Sequence, residues 1–86
     1  MSDLVVRGQR LPGIGWRYDT PVEAAGGRTR RLSVIVEDHG PRHIMMFDEQ
    51  SDEQLMSVRL SQTEAAGIAA LLAGARLAVV PASGSP

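Results

Sequence analysis

The chain has 86 residues, with nine basic residues, all arginine, against ten acidic ones for a net charge of −1. This length holds one small domain and excludes two independent cores of ordinary size, and the near-neutral charge argues against a dedicated nucleic-acid binder. Cysteine is absent, which excludes disulfides, thiolate chemistry and cysteine-ligated zinc and fits a cytosolic protein.

Residues 4–10 open with Leu4, Val5 and Val6 and predict a short strand that Gly8 interrupts. Leu11-Pro12-Gly13-Ile14-Gly15 follows. Proline fixes one φ and glycine is free to take a positive one, so Pro12, Gly13, Ile14 and Gly15 predict a tight structural loop. Residues 16–22 alternate, with Trp16, Tyr18 and Thr20 on one side and Arg17 and Asp19 on the other, as in a half-buried strand. Pro21 assigns that stretch to a sheet edge or to the strand's end. Residues 23–27 form a connection with paired glycines, and Arg28, Arg30 and Arg31 lead into residues 32–37. That run is the strongest strand in the sequence, with Leu32, Val34 and Val36 on one face and Ile35 on the other.

Asp38-His39-Gly40-Pro41 predicts a hairpin turn, followed by a strand over 42–48 in which Ile44 and Met46 oppose His43, Met45 and Phe47. Residues 48–54 have no periodicity and predict a solvated loop, and residues 55–60 alternate as a last strand. Ser61 and Glu64 have the spacing of a capping box. Ala65, Ile68, Ala69 and Leu72 then form an apolar stripe at helical spacing with Leu71 on its shoulder, and Gly74 is a natural stop. Residues 76–86 form a short apolar stretch and a flexible tail or linker.

The chemistry-bearing residues are few. Asp48, Glu49, Asp52 and Glu53 lack the alternate-position spacing of a calcium loop and read first as a solvated acidic loop, next as a charged partner surface. His39 and His43 are the two histidines. They stand across a hairpin, with no third ligand to suggest a metal, and form a candidate pH-sensitive hairpin beside Asp38. Arg28, Arg30 and Arg31 read as a solvated strand start or as salt-bridge partners. Gly13-Ile14-Gly15 lacks the rest of a phosphate-binding fingerprint. With neither cysteine nor lysine, and no motif pairing a serine with a base, an enzyme is not expected. No cofactor and no metal site is expected either.

Several of these segments come in a familiar order: Leu11-Pro12-Gly13-Ile14-Gly15-Trp16-Arg17-Tyr18, the strand over 32–37, Asp38-His39-Gly40, the strand ending in Phe47-Asp48, and Leu60-Ser61-Gln62-Thr63-Glu64-Ala65 through Gly74. Over roughly residues 4–75 the chain resembles the N-terminal domain of the soluble regulatory subunit of bacterial potassium (cation)/proton antiporters, of the TrkA-C type. The resemblance implies a regulatory domain that controls a membrane antiporter by protein contact and has no catalysis of its own. It also implies a C-terminal regulatory domain of the TrkA-C type, which in the family binds a nucleotide such as cyclic di-AMP and forms dimers. That domain is absent from this chain, and its nucleotide site maps to no residue here. Pro41 and His43 stand where the family prefers a basic pair.

These readings predict an α+β domain over residues 1–75. Its mostly antiparallel sheet has four or five strands, and the apolar stripe of one C-terminal helix covers one sheet face. The core is thin, because ten of the apolar residues are alanine and only Trp16, Tyr18 and Phe47 are aromatic. Trp16, Tyr18, Ile35, Met45 and Phe47 are the interface candidates, and a homodimer is expected from strands that are apolar on both faces. The expected partner is a membrane antiporter subunit. The expected location is cytoplasmic and peripheral to the inner membrane, since no apolar run approaches the ~18 residues of a span. Neither nucleic acid nor direct membrane insertion is expected. The alternative function is a general protein-interaction or assembly module unrelated to transport.

Overall fold

The computed structural model describes residues 5–74; the stretch and tail expected over 76–86 lie outside them. Strands β1 (Arg7–Leu11), β2 (Gly15–Glu23), β3 (Thr29–Glu37), β4 (Arg42–Asp48) and β5 (Gln54–Leu60) precede one helix, α1 (Gln62–Leu72). The strands form a single sheet in the order β1-β2-β3-β4-β5, each antiparallel to its neighbours. This is the expected α+β class.

The first turn sets the register. The Ile14 amide donates to the Leu11 carbonyl at 3.0 Å, and Gly13 takes φ 77° two residues after Leu11, the position where a Pro-Gly turn needs a positive φ. Leu11 then pairs with Gly15, and pairing runs out to Arg7 opposite Asp19. The strand expected over 4–10 is thus displaced to Arg7–Leu11. Continuing it would set Val5 against Pro21, which has no amide to offer the ladder. Pro21 itself sits inside β2, opposite Arg31 of β3, beyond the reach of β1. β3 starts three residues earlier than expected, because Glu23 pairs with Thr29 and draws the arginines into the strand. A bulge where β4 meets β5 leaves Leu55 without a ladder partner.

Register pairing sorts the side chains into two unlike faces. One carries Trp16 and Tyr18 of β2, Leu32, Val34 and Val36 of β3, Ile44 and Met46 of β4, and Met56, Val58 and Leu60 of β5. The other carries Arg17, Asp19, Arg31, Ser33, Glu37, His43 and Arg59, with Ile35, Met45 and Phe47 set among them.

The helix does not cover either face as expected. Its main contact with the sheet is along β5, and Ile68, Leu71 and Leu72 remain exposed. The half-buried positions are Ala65, Gly67 and Ala70. Ser61 alone links β5 to α1, and one residue cannot lift a helix the ~10 Å that a stacked layer requires. The sheet is therefore a single layer, and among the described residues Leu60 is the one buried apolar side chain.

Candidate functional site

The apolar face is the first surface of interest. Val34 lies at its centre, flanked by Tyr18 on β2 and Ile44 on β4. Trp16 and Tyr18 stack with ring centroids 6.2 Å apart and planes 17° from parallel. These two rings are 41% and 36% exposed, and Met56 and Val58 are 38% and 39% exposed. The open side chains lie on β2 and β5, with the half-buried Leu32, Val34, Val36, Ile44 and Met46 of β3 and β4 between them, a continuous apolar patch of the kind that serves as an interaction surface. The expected interface set is thereby split: Trp16 and Tyr18 lie on this face, while Ile35, Met45 and Phe47 lie on the other.

The opposite face is held by polar pairs. Ser33 is fully buried; its hydroxyl donates to the Asp19 carboxylate and accepts from Arg17 at 3.5 Å. Arg17 also reaches Asp19 at 3.3 Å. The register setting Asp19 opposite Ser33 brings the three together, so β2 and β3 are joined beneath their backbone ladder by a satisfied network. His43 Nε2 lies 2.6 Å from Glu37 Oε2. His39 is exposed in the turn, so the two histidines have different surroundings: His43 bonds Glu37, whereas Asp38 bonds Arg10.

Three loops converge at one end of the sheet. Arg10 grips Asp38 with two bonds of 2.9 and 2.7 Å, and its guanidinium lies 5.9 Å from the centre of the Trp16 ring. That bond is the main reason the Asp38 carboxyl is held below the usual carboxylate range. The Asp38 amide donates to the Ile14 carbonyl at 2.9 Å. Arg42 donates to the Glu37 and Gly40 carbonyls, and Gln62 of α1 reaches the Gly40 carbonyl at 3.3 Å. The Leu11–Gly15 turn, the β3–β4 turn and the start of α1 are thus cross-linked into one platform. Ile14 protrudes from it, 51% exposed. An open depression of about 380 Å³ lies beside it, between Gly40, Pro41 and the β5–α1 junction.

The basic and acidic clusters meet at the other end. Arg30 bonds Asp48 at 2.9 Å. Arg31 bonds Asp52 and lies 4.7 Å from the centre of the Phe47 ring. Asp48 also accepts the Gln50 and Ser51 amides, and these backbone bonds lead the causes that lower its pKa. Arg30 and Arg31 are salt-bridge partners, and the acidic loop is in part their counter-charge. Arg30 opposite Asp48 is a direct consequence of the β3–β4 register. Among the described residues no group of three or more His, Asp and Glu side chains is placed to hold a metal ion.

The segments that build the loop platform also match known proteins. Residues 5–76 match the family described as the K(+)/H(+) antiporter subunit KhtT, N-terminal domain. The chain belongs to this family. It is 35% identical over 65 residues to the K(+)/H(+) antiporter subunit KhtT of Bacillus subtilis (strain 168), an overlap of 74% of this chain and 37% of the relative. The chain thus spans well under half the length of that relative. Both descriptions name a subunit of a K(+)/H(+) antiporter, and the family is that subunit's N-terminal domain. Among the described residues no helix is long and apolar enough to cross a membrane.

Proposed function

We propose that this domain regulates a membrane potassium (cation)/proton antiporter through direct protein contact, from the cytoplasmic side and peripheral to the inner membrane. Membership in the KhtT N-terminal family carries the reading. The platform built from Pro12, Gly13, Ile14, Gly15 and the β3–β4 turn is its contact point. Ile14 is the exposed apolar residue there, and the backbone around it is fixed by the Asp38–Ile14 and Arg10–Asp38 bonds. The domain acts as a homodimer, and a TrkA-C-type regulatory domain works with it in the complete subunit. Ile14→Glu places a charge on the protruding tip without touching the sheet. In co-purification with a co-expressed potassium/proton antiporter from the same organism, the native protein is retained and the variant is lost. Equal retention of both would refute the contact.

The hairpin histidines belong to the same proposal. Protonation of His43 converts its bond with Glu37 into an ion pair. The charged groups nearest it on that face are Glu37, Arg59 across the β4–β5 ladder and Arg17, whose partner Ile35 is also the partner of His43. His39 stands at the exposed turn, next in the chain to Asp38. Replacing both histidines with glutamine is expected to flatten the dependence of antiporter flux on pH between about 6 and 8. An unchanged profile would remove the histidines from regulation.

A further inference from the structure

We infer that the apolar face centred on Val34 is the surface on which two copies of this chain pair, sheet against sheet. The inference rests on the homodimer proposed above and adds which face forms it. The extent of the face is the first argument. Its four strands, β2–β5, lie about 4.8 Å apart and average about eight residues at about 3.3 Å per residue, and so present about 500 Å². Two copies therefore bury about 1,000 Å², the size at which a specific interface begins.

Charge is the second argument. The centre of the face, where Tyr18, Val34, Ile44 and Val58 adjoin, carries no ionisable group that is charged at neutral pH. The guanidiniums on its margins are already bonded within the chain: Arg10 to Asp38, Arg42 to the Glu37 and Gly40 carbonyls, and Arg30 to Asp48. A partner of opposite charge would find nothing unpaired to bind. A second copy meets apolar surface with apolar surface and strands no charge.

A two-fold arrangement also fits the layout of the sheet. Val34 lies on the middle strand, so an in-plane axis through β3 sets β2 and β4 of one copy over the central strands of the other. Two sheets packed about 10 Å apart then form the second layer that α1 does not supply. The polar face and the loop platform stay free for other contacts.

Sedimentation of the 86-residue chain at micromolar concentration tests this with two variants. Tyr18→Lys with Val58→Lys changes two exposed positions on the apolar face, and Met45→Lys changes the opposite face. The native chain and Met45→Lys are expected to sediment as dimers. The double variant is expected to be monomeric, its self-association weakened by about thirtyfold or more. A double variant that stays dimeric while Met45→Lys dissociates would overturn the choice of face and leave the homodimer standing. A native chain that is monomeric throughout would overturn the homodimer itself. Trp16, the single tryptophan, gives a readout that needs no variant: its emission should shift to the red on dilution through the dimer–monomer transition. An emission maximum that stays fixed while sedimentation shows dissociation would place Trp16 outside the interface and overturn the assignment.

Discussion

Gly15 shows how tightly the sequence is held where the first hairpin begins. A Cβ built there would lie 2.0 Å from the Val36 carbonyl oxygen, and its φ is 158°. The obstruction is backbone and cannot swing aside. Gly15→Ala is expected to cost about 2 kcal/mol or more, read as a lower urea midpoint with an unchanged slope. Ser33 makes a contrasting case, because its hydroxyl bridges Asp19 and Arg17 without exposure to water. Ser33→Ala leaves those two groups to each other and should cost about 1–2 kcal/mol. Asp38, Asp48 and Glu64 all have pKa values lowered by bonds made in the folded chain. Each therefore contributes stability that is fully present above the ordinary carboxylate pKa and is lost as pH falls through the lowered folded value. Through these three carboxylates, urea midpoints should drop as pH falls below the ordinary carboxylate range. Midpoints that stay level through that fall would contradict this assignment.

The helix shows what a single element can determine by itself. Ser61 Oγ accepts the Glu64 amide at 3.1 Å, and the Glu64 carboxylate accepts the Ser61 amide at 2.9 Å. With little tertiary packing to hold α1, its start depends on this cap more than a buried helix would. Ser61→Ala should cost about 1 kcal/mol and reduce helical circular dichroism while the sheet signal stays. The cap was legible because it is written in four consecutive residues. The same holds for the Pro12-Gly13 turn and for the alternation of β3 and β4, so the fold class followed from short-range signals. The placement of α1 was not legible from its stripe, because Ile68 and Leu72 report an apolar face without saying what lies opposite. The length of the β5–α1 link was the overlooked constraint. Register was the other: with β2, β3 and β4 aligned, Asp19 opposite Ser33 and Arg30 opposite Asp48 follow. The Arg10–Asp38 grip does not, since it depends on two loops meeting at the sheet end.

At the scale of the molecule, the domain is a single sheet with two dissimilar faces and a rigid platform at one end. The polar face is internally satisfied by Arg17, Asp19 and Ser33, and the apolar face is not covered by the described residues. Such a domain has little core of its own, which fits the pairing of two copies inferred above. Loss of the apolar-face contact should therefore lower the thermal midpoint of the native chain in a concentration-dependent way, whereas Ile14→Glu should leave it unchanged. Regulation of transport by contact is the claim on which the account turns. Potassium/proton exchange in inverted membrane vesicles tests it most directly, using a potassium/proton antiporter from the same organism first without the native protein and then with it. Adding the native protein is expected to change the exchange rate, and the Ile14→Glu variant is expected to leave it unchanged. Identical exchange with and without the native protein would contradict that claim.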